Sequence, residues 1–308
     1  MTSEFRYCLV VVFNHRFEAN LPRLRALYRG RFSTVRFLVP FYREGDPDVV
    51  PVFESSATFQ GYFAQAQRHL AAEGISHFVF VADDLLLNPA IHEGNLHTYF
   101  RLRPDGGYTK YLEPFSSLTA RWTHFNRTLR ELRFDEFVNA RAELPPREEA
   151  AARLAAHGLT VRPLGWRNLD APPGPWTDRA REWLTALWLL RRRRDEGGEL
   201  PYPLLMGYAD LLVVPAPAMA EFCHLCGVFA AMGIFVECAA VTALALAVPQ
   251  ISLERDLDQQ GLELWSDADR EAFWKRYGAR LPDLIADFPE RCLYVHPIKL
   301  GHWQADAA

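Results

Sequence analysis

No stretch of the chain holds the roughly 18 or more consecutive apolar residues that a membrane-spanning helix needs. Leu211–Val248 comes nearest, but Glu221, His224 and Glu237, with Pro215 and Pro217, interrupt it. The N-terminal Met1–Phe13 reaches its apolar run too soon, and keeps it too short, for a secretory signal. Cysteine is sparse: five residues, Cys8, Cys223, Cys226, Cys238 and Cys292, an odd number that argues against a disulfide framework. A reducing, cytoplasmic setting is therefore expected. Cys223 and Cys226 have the spacing of a redox or metal pair, yet no second pair exists and their surroundings read as an apolar helix. Nowhere does G-x-G-x-x-G follow a strand pattern, and G-x-x-x-x-G-K-[ST] is missing, which argues against a dinucleotide site and a P-loop. A strong charge of either sign is also lacking. The net charge of −4 gives no global reason to expect nucleic acid or an anionic membrane as partner. Arg191–Arg194, at the end of a helical pattern, reads as a solvated C-terminus that complements the helix dipole.

What is present is the composition of an ordinary globular protein, 49% hydrophobic and 23% charged, over 308 residues. That length suits one large α/β domain or a domain with a sizeable insertion. The stretch around which the rest is organised is Phe78–Pro89. Phe78 to Val81 are β-formers without polar interruption, as in a strand buried on both faces of a parallel sheet. The acidic pair Asp83-Asp84 follows where the strand leaves the sheet. Ligands of open α/β sheets gather outside the carboxyl ends of the strands. Crowded carboxylates there suit a hard divalent cation, Mn²⁺ or Mg²⁺, able to hold phosphate oxygens. The competing structural role is that one of the two caps the next turn.

In chain order, Tyr7–Phe13 is a strong first strand with the polar exit Asn14-His15-Arg16. Glu18–Arg29 is helical by the spacing of Leu21, Leu24, Leu27 and Tyr28. Val35–Pro40 is a second strand. Val49–Phe53 is a short third one that Pro51 confines to an edge or shortens. Thr58–Glu73 is a helix, with Gly74 just past its end. The order β–α–β–β–α–β–Asp-Asp resembles the nucleotide-binding half of GT-A-fold glycosyltransferases. In that fold an acidic motif after the fourth strand binds a divalent metal on the donor diphosphate. The loop after the first strand helps hold the nucleoside. The family's usual motif is Asp-x-Asp, whereas this chain reads Ala82-Asp83-Asp84-Leu85. The resemblance implies metal ligation by Asp83 and Asp84, with Asn14, His15 and Arg16 near the nucleotide.

Further on, Ala90–Leu102 is expected to be helical and Gly106-Gly107 to mark a turn. Tyr108–Phe115 is expected as one strand near the site. Trp122–Ala156 is mainly helical in pattern with Pro145-Pro146 interrupting it, and Arg167–Trp176 is a loop. Arg179–Arg194 is an amphipathic helix carrying Trp183, Leu187, Trp188 and Leu190. Tyr208–Pro215 returns to strand character, with Asp210 at its start and Gly207 suited to close backbone approach. Helices follow at Ala218–Met232 and Cys238–Ala247. Glu237 stands alone among apolar and small residues, and an unpaired charge is expensive to bury, so it must reach a partner or face a cavity. In inverting glycosyltransferases a carboxylate deprotonates the acceptor hydroxyl. Glu237 is the first candidate for that base and Asp210 the second; otherwise Glu237 favours the N-terminus of the helix it precedes.

The C-terminal Leu293–Trp303 brings His296, Lys299, His302 and Trp303 in quick succession after an apolar lead-in. Imidazole completes metal sites begun by carboxylates, and lysine neutralises a diphosphate leaving group. This resembles the histidine-and-lysine tail of some GT-A enzymes, which implies metal binding by His296 and phosphate contact by Lys299.

The expected fold is α/β: a GT-A-like, mostly parallel sheet flanked by helices, with a largely helical insertion. Residues 1–119 would form the nucleotide-sugar-binding half, 120–200 the insertion or lid, and 201–308 the acceptor-side half with the tail. The expected function is transfer of a sugar from a nucleotide-diphosphate donor to a hydroxyl acceptor, a carbohydrate, with a divalent cation as cofactor. No nucleic-acid partner and no transmembrane segment are expected; peripheral membrane contact stays compatible. The alternatives are a nucleotidyltransferase using the same acidic pair and a non-catalytic binding or scaffold protein whose partner surface is the Trp-rich insertion.

Overall fold

The computed structural model describes residues 5–70, 74–132, 138–170, 175–194 and 202–304. The expected end of the second helix at Glu73, the middle of the Arg167–Trp176 loop and the insertion boundary near residue 200 lie outside them. The first strands are β1 (Tyr7–Val12), β2 (Thr34–Pro40), β3 (Val49–Val52), β4 (His77–Ala82) and β5 (Leu86–Leu87). Then come β6 (Gly106–Thr109), β7 (Leu112–Pro114), β8 (Leu205–Gly207), β9 (Leu211–Pro215), β10 (Gln250–Leu253), β11 (Gln260–Glu263) and β12 (Cys292–His296).

Seven strands form one sheet in the order β10-β6-β9-β4-β1-β2-β3. Neighbours run parallel from β4 through β1 and β2 to β3, and between β6 and β10. Only β9 runs against its neighbours, β4 and β6. The fold is α/β, a mixed and mostly parallel sheet with helices on its faces. Pro51 lies in edge strand β3, where a missing N–H costs no ladder bond.

Both faces of the sheet are buried, and the side chains sort by period two. Cys8, Val10, Val12, Phe78 and Phe80 join one core, while Tyr7, Leu9, Val11, Val79 and Val81 join the other. The first core is covered by α2 (Gln60–Leu70) and, from later in the chain, by the helices Met219–Ala231 and Val236–Ala247. The second contains α1 (Leu21–Tyr28) residues Leu21, Leu24 and Tyr28 and C-terminal residues such as Leu284 and Trp303. Phe125, Leu154, Leu169 and Leu189 pack into the first core, so the 120–200 region contributes to the body of the fold.

Four local expectations are corrected. Ala90–Leu102 contains only a four-residue helix, α3 (Leu96–Tyr99). Side chains of Asn88 and Asn95 accept from the backbone N–H groups of Ala90 and His92, at 2.9 and 2.8 Å, and turn the chain instead. Gly106-Gly107 is strand rather than turn: a Cβ on Gly107 would lie 2.7 Å from the Val213 carbonyl oxygen, so glycine there serves the close approach of β6 to β9. Tyr108–Phe115 is split between β6 in the large sheet and β7, which pairs with β8. Glu18–Arg29 also divides, into a 3₁₀ turn at Glu18–Asn20 and α1.

The remaining helices are α4 (Phe125–Glu131), α5 (Arg147–Ala156), α6 (Trp176–Arg194), α7 (Met219–Ala231), α8 (Val236–Ala247), α9 (Asp267–Arg276) and α10 (Leu281–Ala286). Cys223 and Cys226 are buried in α7 as small hydrophobes. Strand β12 pairs antiparallel with β5, which follows the Asp83-Asp84 pair, so residues from β12 onward are brought back to the carboxyl end of β4.

Candidate functional site

The site forms where β1 and β4 end side by side. The N–H of Asp83 donates to Val12 O at 2.9 Å, extending the β1–β4 ladder by one bond and fixing the acidic pair at the sheet's edge. Asp84 accepts on its carbonyl from Ile298 N at 2.6 Å, which draws the C-terminal tail over the pair. Arg23 of α1 donates to the carbonyls of Leu300 and Trp303, at 2.5 and 3.2 Å, and holds the tail from the other side.

Between these segments lies a cavity of about 280 Å³. Its lining includes Asn14, His15, Arg16, Asp83, Asp84 and Lys299. Six of the nine residues singled out in the sequence thus meet around one space, brought from three segments more than 60 residues apart. His296, Asp210 and Glu237 are not in that lining; His296 and Asp210 are tied electrostatically to Asp84, and Glu237 to Asp210.

Asp83 is only 4% exposed, and its Oδ1 is buried with no hydrogen-bond partner. Burial, chiefly, and the neighbouring Asp84 charge push its carboxyl up to about 8; the Asn14 backbone opposes this and Asp210 adds to it. His296 is buried, with Nδ1 2.8 Å from the Tyr208 hydroxyl and Nε2 3.2 Å from Asp84 Oδ1. Burial disfavours its charged form, yet Asp84, Asp210 and Glu263 together raise its pKa above the ordinary histidine value. Asp210 is pushed up to about 6, mainly by burial, with His296 opposing and Asp84 and Glu263 adding. Glu237, in the first turn of α8, is pushed up to about 7 by burial and by Asp210.

Two participants, Glu263 and Tyr208, went unread in the sequence. Glu263 faces this group and makes an ion pair with Lys110, a residue of the segment expected as a strand near the site; Lys110 also reaches Glu254 at 3.7 Å and lies 5.5 Å from the centre of the Tyr208 ring. Tyr208 orients His296. The signal for Tyr208 was its place two residues before Asp210, since both act on the same imidazole. Glu263 lies 153 residues from Lys110, and nothing local joined the two.

Two ligands at right angles, each roughly 2.1 Å from a Mg²⁺- or Mn²⁺-sized cation, stand about 3.0 Å apart. The 3.2 Å between Asp84 Oδ1 and His296 Nε2 fits that spacing. The orphaned Oδ1 of Asp83 is the kind of buried oxygen a cation would satisfy. Among the described residues, however, no group of three or more His, Cys, Asp or Glu side chains is placed to hold a metal ion. Small hard cations commonly take only one or two carboxylates from the protein and complete their shell with water and substrate phosphates.

No protein-family model matches this chain, and no curated protein sequence matches it either. Among the described residues, no helix is long and apolar enough to cross a membrane.

Proposed function

We propose that this protein is a glycosyltransferase of GT-A type. It would move a sugar from a nucleotide-diphosphate donor to a hydroxyl of a carbohydrate acceptor. The observation that carries the reading is the cavity that joins Asn14–Arg16, Asp83-Asp84 and Lys299 at the carboxyl ends of β1 and β4. The element order behind the resemblance supports it: β1, α1, β2, β3, α2 and β4 lead to the acidic pair.

On this reading the nucleoside lies against the loop after β1, and the diphosphate spans from Lys299 toward Asp84. A divalent cation held by Asp83 and Asp84, with His296 orienting Asp84 and with water and donor phosphate completing the shell, would neutralise charge on the departing diphosphate. Lys299 supplies positive charge at the same place, where breaking the anomeric C–O bond leaves its electron pair on phosphate oxygen. Glu237 takes the acceptor hydroxyl proton as that oxygen attacks the anomeric carbon. A carboxyl pushed up to about 7 is well matched to a base that must bind and release a proton near neutrality. Asp210 keeps Glu237 basic through like-charge repulsion, adding to the effect of burial.

The test is turnover. Purified protein is incubated with UDP-, GDP- and ADP-sugars, Mn²⁺ and a panel of oligosaccharides, and release of the free nucleoside diphosphate is followed. One donor should turn over, and Glu237→Gln should lose at least a hundredfold of that rate while keeping its melting temperature. Absence of turnover with every donor, or full activity in Glu237→Gln, contradicts the assignment.

A further inference from the structure

The 19-residue helix α6 is amphipathic in the unexpected direction. Its inward side is modest: Ala186 and Leu189 enter the core, and Asn126 binds the Glu182 carboxylate at 2.7 Å. Its outward side carries the large apolar groups. Trp176, Ala180, Leu184 and Trp188 follow one another at four-residue steps, a stripe about 18 Å long. Trp176 is 79% exposed, Leu184 57% and Trp188 50%. These residues, with Thr177, Arg181 and Thr185, line one shallow surface groove. Trp183 stands exposed at its margin.

Charge separates in the same place. The protein carries a net −4, but α6 has six arginines against two carboxylates. Arg179, Arg181 and Arg191 are exposed. Contiguous exposed apolar surface rimmed by polar groups marks an interaction site rather than ordinary scatter. Tryptophan suits a boundary that is apolar on one side and wet on the other, and arginine pairs with phosphate. A second copy of this chain would set arginine against arginine, whereas an anionic lipid surface offers both the missing charge and the apolar depth.

We infer that α6 is a membrane-docking helix, lying in the headgroup region of an anionic bilayer with Trp176, Leu184 and Trp188 inserted and Arg179, Arg181 and Arg191 on lipid phosphates. The helix rests on the surface and does not span it.

Flotation with vesicles tests this on the full chain. The probes are phosphatidylcholine vesicles with and without about one third phosphatidylglycerol. The protein should float with the anionic vesicles, with a blue shift in tryptophan emission. Partitioning should fall at least tenfold without the anionic lipid, and equally between about 0.05 M and 0.5 M NaCl. Arg181→Gln and Arg191→Gln should each weaken it about fivefold. Trp176→Ser with Leu184→Ser should weaken it at least tenfold, with the thermal melt unchanged because both sites are exposed. No flotation, or flotation that none of these variants alters, overturns the inference. So does a dimer in sedimentation velocity that Trp176→Ser dissociates while no vesicle is bound.

Discussion

Replacing Asp83 by asparagine should stabilise the metal-free protein. The carboxyl is 4% exposed, its Oδ1 has no partner, and its pKa is pushed from 3.8 up to about 8. Each unit of displacement corresponds to about 1.4 kcal/mol, so the ionised form carries a penalty of up to about 6 kcal/mol. Relaxation and water entry around a buried charge reduce what is observed, and we expect about 2 kcal/mol at pH 8. The sign follows from proton linkage. Below pH 3.8 folded and unfolded chains both hold the proton. Between 3.8 and about 8 the folded chain keeps a proton that the unfolded chain has released, so stability falls as pH rises through that window. Asparagine removes this slope. The measurement is a set of thermal melts from pH 4 to 9 in chelator, comparing wild type with Asp83→Asn. The variant should melt about 4 °C higher at pH 8, with the gap closing toward pH 4. Added Mn²⁺ should raise the melting temperature of the wild type and not of the variant. A variant less stable than wild type at pH 8 would refute the reasoning, because the carboxylate would then be a satisfied structural group.

Two further substitutions probe the frame around the pair. A Cβ on Gly261 would collide with the ring of Tyr294, which is fully buried and registered against Leu87. Gly261→Ala should therefore cost about 3 kcal/mol in urea unfolding, and a neutral result would mean β12 is free to shift. Tyr208→Phe deletes the hydroxyl 2.8 Å from His296 Nδ1. It should cost about 1–3 kcal/mol and weaken metal-dependent nucleotide binding about tenfold, since the imidazole loses the contact that sets its angle toward Asp84. Unchanged binding would make Tyr208 a packing residue only.

The parts of the fold that were legible were those with one dominant local signal. The unbroken apolar runs of β1 and β4 read as buried strands, and of the edge position or shortened pairing that Pro51 implied, the structure shows β3 at the edge. Ala90–Leu102 misled because its apolar spacing competes with Asn88 and Asn95, whose side chains capture the backbone first. The two glycines at 106–107 read as a turn because glycine's role in close strand approach depends on a neighbour, Val213, 106 residues away. The same division holds at the site. Asp83-Asp84, the Asn14–Arg16 loop and Lys299 were visible as polar residues at strand exits. The pairing of β5 with β12 that brings them together was not, nor was the Lys110–Glu263 ion pair. Trp183, Leu187 and Trp188 gave helical spacing, but spacing says nothing about which face a neighbour covers; on α6 it is the poorer face that is packed.

The central claim is that the cavity between the β1 loop, the acidic pair and the C-terminal tail holds a nucleoside diphosphate through a divalent cation. Isothermal titration of UDP, GDP and CDP, with Mn²⁺ and in chelator, is the direct test. One nucleotide should bind in the presence of Mn²⁺ and lose at least tenfold in affinity, about 1.4 kcal/mol, in chelator and in Asp83→Asn with Asp84→Asn. Binding that ignores both the metal and the two substitutions, or no binding of any nucleotide, would contradict it.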